Sequence, residues 1–368
     1  MKILFYTNVP SPYRVSFFNE LGKYCDLTVL FETSSSTERD DTWKNFKFEY
    51  FQGIILKGTR TAVDSAFCPE IIKYLKKNTY DQIVVTQVAS YTAIWAAAYM
   101  RLRKIPYCYE GDGGFVSSTT GLKAMLKRLV IGGAKYCFST SKHFDDYCTA
   151  YGAKEDKIYR YSLTSIEEKD VLHKPLTRVE KELYKKELGM KEEHILLSVG
   201  QFIYRKGFDV LLQAAKGLPE NVGIYIVGGK PTAEFLEMKA KWNLERVYFI
   251  DFMKKNVLSR YYQAADVFVF PTREDIWGLV VNEAMAHGLP VISTNRCISA
   301  LEMVNSGEEG YVVPVNDVEA LKSAILEVLG ADNLREQMAE KALKKIKMKY
   351  TIENMAQEHI NVFKKETR

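Results

Sequence analysis

The apolar positions of this chain fall into short continuous runs, each followed by an amphipathic stretch of helical period. In the first half the runs are "KILFYTN", "DLTVLFE", "DQIVVTQ" and "PYCYEG", with "SFFNELGKYC", "EIIKYLKKN" and "TAIWAAAYMRLRK" between them. A run without polar alternation reads as a strand buried on both faces, and strands alternating with helices form a parallel sheet covered on each side. "MLKRLVIGGA", "YCFST" and "KHFDDYCTAYG" carry the alternation to about Tyr161.

Residues 165–190, "SIEEKDVLHKPLTRVEKELYKKELGM", are charged and lack strand character, and they read as a linker leading into a helix. The alternation then resumes through "HILLSVG", "DVLLQAAKG", "GIYIVGG", "AEFLEMKAKWN", "VYFID", "VLSRYYQAA", "DVFVFPT", "LVVNEAMAHG", "PVIST", "GYVVPV" and "VEALKSAILEVLG". The last stretch, "YTIENMAQEHINVFKKETR", is one more amphipathic helix. The pattern predicts two doubly wound, Rossmann-like α/β domains, residues 1–165 and 166–349, followed by a helix over 350–368. Two such domains facing each other would enclose a central cleft at the carboxyl ends of both sheets, where ligands of open α/β sheets bind.

Composition narrows the class. A length of 368 residues suits two domains, and 47% apolar with 26% charged residues is the balance of a soluble globular chain. Six cysteines are scattered without a CxxC pair, which favours thiols in a reducing cytoplasm over a disulfide framework or zinc site. "MKILFYTNVP" is a strand running into a turn, too short in its apolar run for a signal peptide. The uncharged run from Ile83 to Met100 approaches the length of a membrane span, but Thr86, Gln87, Ser90 and Thr92 divide it into a strand and a helix.

The net charge of +5 is modest and gives no case for a nucleic-acid partner, yet it is unevenly placed. Between Ala98 and Lys135 stand seven bases (Arg101, Arg103, Lys104, Lys123, Lys127, Arg128, Lys135) and two acids (Glu110, Asp112). Within that window "GLKAMLKRLVIGGAKY" is apolar at Leu122, Met125, Leu126, Leu129 and Val130. Such a helix either lies on an anionic bilayer or is half-buried with a solvated basic face.

Two loops carry candidate chemistry. "REDIWGLVVNEAMAHGLPVI", residues 273–292, follows the strand "DVFVFPT" and sets Asp275 in a loop and Glu283 one turn into a helix that stops at Gly288. That helix is apolar on nearly every face, so Glu283 is expected to be screened from water and to need partners. Hydroxyls of a bound sugar or ribose would serve, at roughly 1.5–3 kcal/mol each, as would amides of a neighbouring loop. "SVGQFIYRKGFDVLLQAA" places Gly200, Arg205, Lys206 and Gly207 between a strand and a helix amino end, an arrangement suited to a diphosphate. Lys206 alone reads equally well as a solvated surface charge. His143, His194 and His287 have no metal spacing.

"PTREDIWGLVVNEAMAHGLPVI" resembles the nucleotide-binding signature of family 4 glycosyltransferases of the GT-B fold, with two acids separated by seven residues and a trailing EAMAxGxPV. The resemblance runs through most of the chain, to "GYVVPVND". It implies that Glu283 holds the nucleotide ribose, that Asp275 contacts the donor sugar with the amides of Ile276, Trp277, Gly278 and Leu279, and that Arg205 and Lys206 grip the diphosphate. "IVGGKP" and "YFIDFMKKN" also end strands of the second half, where Gly228 and Gly229 permit close backbone approach and the loop from Asp251 to Lys254, which includes Phe252, is a candidate seat for the base. Three positions depart from the pattern. The first acid is Asp275 rather than Glu, the glycine that usually follows it is Ile276, and the usual Arg after Gly200 is Gln201. The first two bear on the identity of the sugar more than on the nucleotide site.

On this resemblance the chain is a retaining hexosyltransferase. It would move a sugar from a nucleotide donor, a UDP-sugar, to a hydroxyl of a glycan or lipid-linked acceptor in bacterial surface polysaccharide synthesis, in the cytoplasm or at the inner face of its membrane. Fixed cations at the departing diphosphate would supply electrostatic catalysis, without a cofactor or metal. "EGD", Glu110 to Asp112, is the nearest approach to a metal-binding DxD, but beside Gly113 and Gly114 it reads as a turn. Glu110 and Asp112 are then candidates for acceptor contact or proton acceptance, and Tyr13 and Arg14 of "NVPSPYR" either contact ligand or belong to a Pro-rich turn. The first domain would be the acceptor side, with the helix from Tyr350 packed back on it. A UDP-sugar epimerase of the same fold and a non-catalytic nucleotide-sugar or glycan-binding protein are the alternatives.

Overall fold

In the computed structural model, which describes residues 1–34, 47–116 and 120–367, the chain begins with a fully parallel seven-stranded sheet. From β1 (Lys2–Thr7), helix α1 (Pro12–Gly22) leads to β2 (Asp26–Phe31) and β3 (Gln52–Ile55) on one side. After the antiparallel hairpin β4 (Thr59–Ala62) and β5 (Ser65–Phe67), the chain crosses to β6 (Gln82–Val85), on the other side of β1. It then steps outward through α2 (Tyr91–Leu102), β7 (Cys108–Glu110), α3 (Gly121–Ile131), β8 (Cys137–Ser139), α4 (Lys142–Ala150) and β9 (Ile158–Arg160). Hydroxyls of Ser90 and Ser141 cap α2 and α4 by accepting from Ala93 and Phe144 amides, each at 3.0 Å.

Three local outcomes differ from the pattern reading. Helix α1 begins at Pro12, a residue well suited to a first helical turn, so Tyr13 and Arg14 stand on a helix rather than in a loop. "EIIKYLKKN" forms only a 3-10 turn, Pro69–Lys73; Ile71 and Leu75 are buried in the core, Ile72 and Tyr74 pack on its edge, and Asn78 takes a left-handed backbone. The strands β3, β4 and β5 are short and mostly exposed, and carry no continuous apolar run to reveal them.

The second sheet is again fully parallel, in six strands. From β10 (His194–Val199) the chain steps to β11 (Val222–Val227) and β12 (Val247–Ile250), then returns to β13 (Val267–Phe270) on the other side of β10 and continues to β14 (Val291–Thr294) and β15 (Gly310–Val313). The helices in order are α5 (Arg178–Glu187), α6 (Phe208–Ala215), α7 (Ala233–Lys241), α8 (Lys255–Ala264), α9 (Leu279–Ala286), α10 (Ile298–Met303), α11 (Val318–Leu329) and α12 (Asp332–Lys349). Asp266, just before β13, anchors α5 by pairing with Lys181 at 3.3 Å and Lys185 at 3.6 Å while accepting from the Ile195 amide. Because strand order reverses at β10, the carboxyl ends of β10 and β13 flank the crevice where doubly wound sheets bind ligands.

The last helix, α13 (Ile352–Thr367), packs on α1, so residues 351–368 group with residues 1–165 and residues 166–350 form the other unit. Glu366 near its end accepts from Tyr159 at 2.6 Å and Lys157 at 2.9 Å. Among the described residues no helix is long and apolar enough to cross a membrane, and the uncharged run at 83–100 is divided between β6 and α2. All six cysteines are free thiols.

Candidate functional site

The loops that leave β10 and β13 are bound to each other. After Gly200 the first loop makes a 3-10 turn, Tyr204–Lys206, and enters α6 through Gly207 at φ 68°. A Cβ on Gly207 would lie 2.0 Å from the Pro271 carbonyl oxygen, so the crossing requires glycine. The Arg205 carbonyl accepts from the Arg273 amide at 2.7 Å and the Thr272 hydroxyl at 2.9 Å, and the Arg205 guanidinium donates to the Glu274 carbonyl at 2.8 Å. Arg273 braces the junction by a two-pronged pair with Asp209 and by stacking on Tyr204.

This bracing brings three of the expected residues together. Lys206 Nζ lies 2.6 Å from Asp275 Oδ2 and 4.8 Å above the Phe270 ring, and an Arg205 Nη lies 3.5 Å from the same oxygen. Asp275 is 8% exposed, with its amide bonded to the Arg296 carbonyl at 2.9 Å. A low-exposure carboxylate paired with two cations holds them in place at a strand end, where a diphosphate could share them.

The loop then turns into α9 at Gly278, which has φ 95°. Ile276, in the position where glycine is usual, is half exposed and is not among the residues with positive φ, so the substitution carries no backbone strain there. Trp277 is buried, donates to Asn282 Oδ1 at 2.9 Å, and accepts from the Ser299 amide at 3.0 Å, which makes its ring a staple of the loop. The first amides of α9, from Leu279 on, precede any helical acceptor and carry the positive end of the helix dipole.

Glu283 is half-buried rather than enclosed. Its carboxylate accepts from the Tyr262 hydroxyl at 3.0 Å, a side-chain partner that neither a ligand nor a main-chain reading supplied. Burial, and next the nearby Glu283 charge, raise the Tyr262 hydroxyl well above its ordinary value, so it remains a donor. Its ring stacks on His287, whose Nδ1 donates to the Glu283 carbonyl at 2.7 Å and whose Nε2 accepts from Ser259 at 2.7 Å. Burial lowers the His287 value, in keeping with a neutral ring in this bonding pattern. Tyr262 sits in "VLSRYYQAA", where spacing marks it only as an apolar helix position.

Two further expected positions end neighbouring strands. A Cβ on Gly228 would lie 1.7 Å from the Gly200 carbonyl oxygen, so both loops approach closely there, and Gly229 has φ 106° in open space. Phe252, after β12, presents an exposed ring while its amide donates to the Asp251 carboxylate at 2.7 Å.

In the other unit, Arg14 on the first turn of α1 is buried and forms ion pairs with both Glu110 and Asp112. Asp112 also accepts from the hydroxyls of Tyr13 at 3.2 Å and Tyr161 at 3.4 Å. Glu110 ends β7 with no exposure and faces His359 Nε2 of α13 at 3.0 Å, while His359 Nδ1 faces the Met355 carbonyl at 2.7 Å. His359 thus bridges the Met355 carbonyl of its own helix and the Glu110 carboxylate, with one ring nitrogen on each. Burial by itself would raise the Glu110 carboxyl, but Arg14 and His359 outweigh it and hold it at about 2. Tyr13 is pushed up to about 12, first by burial and then by the Asp112 charge.

These contacts correct the expectation for Glu110: a carboxylate with no exposure, paired with the Arg14 guanidinium and bonded to His359, is not available to accept a proton from a substrate hydroxyl. Asp112 remains open to solvent on one side, with 31% of its side chain exposed. The "EGD" carboxylates converge on a guanidinium, and among the described residues no three His, Cys, Asp or Glu side chains converge as a metal site.

Comparison with known proteins bears on this geometry. Residues 180–345 match the model of the family "Glycosyl transferases group 1". An uncharacterized glycosyltransferase of Methanocaldococcus jannaschii is 28% identical over 227 residues, covering 60% of this chain and 57% of the relative. The lipopolysaccharide glucosyltransferase WaaG of Escherichia coli is 30% identical over 168 residues, 44% of each chain. The chain thus spans about half the length of the curated relatives it matches. The crystal structure of Anabaena Alr3699/HepE in complex with UDP superposes with a TM-score of 0.81 at 16% identity, over 99% of this chain and 100% of that one. The fold is therefore GT-B, and the group 1 match, which spans every site residue from Gly200 to Glu283, together with the named relatives supports a GT-B glycosyltransferase.

Proposed function

We propose that this protein is a retaining family 4 glycosyltransferase that moves a hexose from a UDP-sugar to a hydroxyl of a glycan or lipid-linked acceptor, in the cytoplasm and without a metal. The observation that carries the reading is the Arg205–Lys206–Asp275 cluster at the reversal of strand order, 2.6 Å and 3.5 Å across its two ion pairs. As the anomeric bond to the diphosphate breaks, negative charge grows on the leaving oxygen, and cations already fixed nearby lower the barrier. Lys206 and Arg205 take that role, Asp275 accepts from hydroxyls of the donor sugar, and Glu283, oriented by Tyr262, accepts from the ribose. Phe252 offers an exposed ring to the base. Asp112, the more open of the two unit-one acids, is the candidate for contacting the acceptor. A relative named for lipopolysaccharide glucosyl transfer and a fold neighbour solved with UDP support the donor and the pathway class.

The test is donor turnover. Purified protein incubated with a panel of UDP-sugars, with and without EDTA, is expected to release UDP in an acceptor-dependent manner, undiminished by the chelator, and to give a product with the donor's anomeric configuration. Interconversion of UDP-sugars with no acceptor would favour the epimerase instead. Binding of nucleotide-sugar without turnover under any acceptor would favour a binding protein. Absence of binding by any nucleotide would end the reading.

A further inference from the structure

We propose that a cavity between α5 and α12 is a second ligand site, built for the phosphate monoester of a small organic molecule, an inference independent of the donor-site reading. The cavity holds about 310 Å³, the lower end of what small-molecule sites offer. Helical spacing makes its two walls: Arg178, Lys181 and Lys185 line it from one face of α5, and Asp332, Arg335, Glu336 and Ala339 from one face of α12. Its floor is the amino edge of the second sheet, where His194 opens β10, Asp266 precedes β13 and Pro290 precedes β14. Arg205, Lys206 and Asp275 stand beyond the opposite ends of β10 and β13, roughly 20 Å away along the six residues of β10.

Burial and charge identify the ligand. Three cations of the cavity have little exposure, Lys181 at 17%, Lys185 at 4% and Arg335 at 13% of their side chains, and among the lining residues the carboxylate as deep is Asp266 at 11%. The remaining acids near these cations, Glu182, Glu193, Asp332 and Glu336, are all exposed to water, which screens them. Lys185 donates to the Glu193 carbonyl at 2.6 Å and Arg335 to the Val328 carbonyl at 3.0 Å, so both are engaged. Lys181 is not: among the described residues its ammonium, with three protons to donate, meets one acceptor, Asp266 Oδ1 at 3.3 Å. Burial lowers the Lys181 ammonium below the usual lysine range even against the Asp266 charge, as befits a cation short of negative partners. A phosphate monoester carries about 1.5 to 2 negative charges at neutral pH, which matches the surplus of buried cations over the single buried carboxylate. A bare phosphate ion would fill little of the space. Pro175, Leu176, Pro290 and Ala339 line the rest and give an organic body apolar contact.

Titration calorimetry on the full chain, with UDP in excess to occupy the proposed donor site, tests the assignment. Glucose 6-phosphate or glycerol 3-phosphate is expected to bind saturably and at least about tenfold more tightly than inorganic phosphate, while glucose does not bind. Lys181→Gln keeps a neutral donor for Asp266 and should weaken the ester about tenfold or more. Glu336→Lys, at an exposed position of α12, replaces a rim acid with a base and should tighten the ester about two- to fivefold. If Lys181→Gln fails to fold, Glu336→Lys carries the test alone. Neither variant touches Arg205, Lys206 or Asp275, so UDP affinity should stay at the wild-type value, which separates failure here from failure of the donor site. No ester binding to the wild-type protein, inorganic phosphate that binds as tightly as either ester, or wild-type ester affinity in Lys181→Gln and Glu336→Lys alike would overturn the proposal.

Discussion

The proposed donor site makes its sharpest prediction at Lys206. Its ammonium is 2.6 Å from Asp275, the side chain is 13% exposed, and the loop that carries it is tied at Arg205 and Gly207 to the loop after β13. Lys206→Ala deletes one charge-assisted hydrogen bond to a bound diphosphate, worth about 1.5–3 kcal/mol, or roughly a 10- to 150-fold rise in the Kd for UDP. It also leaves Asp275 with only the Arg205 contact at 3.5 Å, so the ligand-free protein should lose stability as well. The two effects separate in the double variant Lys206→Ala/Asp275→Asn, which removes the uncompensated carboxylate. Its melting temperature should recover toward wild type while its UDP affinity stays low. Asp275→Asn alone releases Lys206 and should bind UDP at least as tightly as wild type while sugar transfer falls. Titration calorimetry with UDP and thermal unfolding without ligand read these quantities independently. UDP affinity of Lys206→Ala within about twofold of wild type would refute the assignment of the diphosphate to this lysine.

Three further outcomes follow from the contacts. Tyr262→Phe removes the hydroxyl that holds Glu283 at 3.0 Å and should weaken UDP binding several-fold, by about 1 kcal/mol, with little loss of stability; an unchanged UDP affinity would show that Glu283 needs no such support. Gly207→Ala must accommodate a Cβ 2.0 Å from the Pro271 oxygen at φ 68°, so it should cost several kcal/mol in urea unfolding and abolish UDP binding; near wild-type stability would refute the close crossing. Glu110, held at about 2 by Arg14 and His359 against an unfolded value near 4.3, contributes stability that is present above about pH 4.3 and lost as pH falls through 2. That contribution is at most about 3 kcal/mol, so Glu110→Gln should flatten the acid side of the stability profile between pH 4.5 and 2, and an identical slope in both proteins would count against the buried pair.

How much of this was legible in the chain follows from what pattern encodes. Continuous apolar runs such as "HILLSVG" and "DVFVFPT" betray strands covered on both faces, and those became β10 and β13. Helix α12 is masked in the sequence: Met338, Ala339, Ala342, Leu343 and Ile346 keep helical spacing, but charged residues fill the positions between them. The pairing of Lys206 with Asp275 joins residues 69 apart and depends on β13 returning to lie beside β10, so no local window contains it. The apolar helix around Glu283 marks it in the sequence, yet its exposure and its Tyr262 partner depend on where α8 packs.

Glu110 is the instructive failure. Its neighbours Gly111, Asp112, Gly113 and Gly114 describe a turn at a strand end, and a strand end in a doubly wound sheet is where reacting groups are sought. What decides its chemistry is a guanidinium 96 residues earlier and an imidazole 249 residues later. Together those two partners commit a candidate base to Arg14 and His359 and tie α1 and α13 to β7. A carboxylate committed in that way can stabilise the unit that carries it, but taking a proton would break the ion pairs that hold the helices. Asp112, two residues on and bonded to the same arginine, keeps a solvent-facing side, which is why the proposed acceptor contact is assigned to it rather than to Glu110.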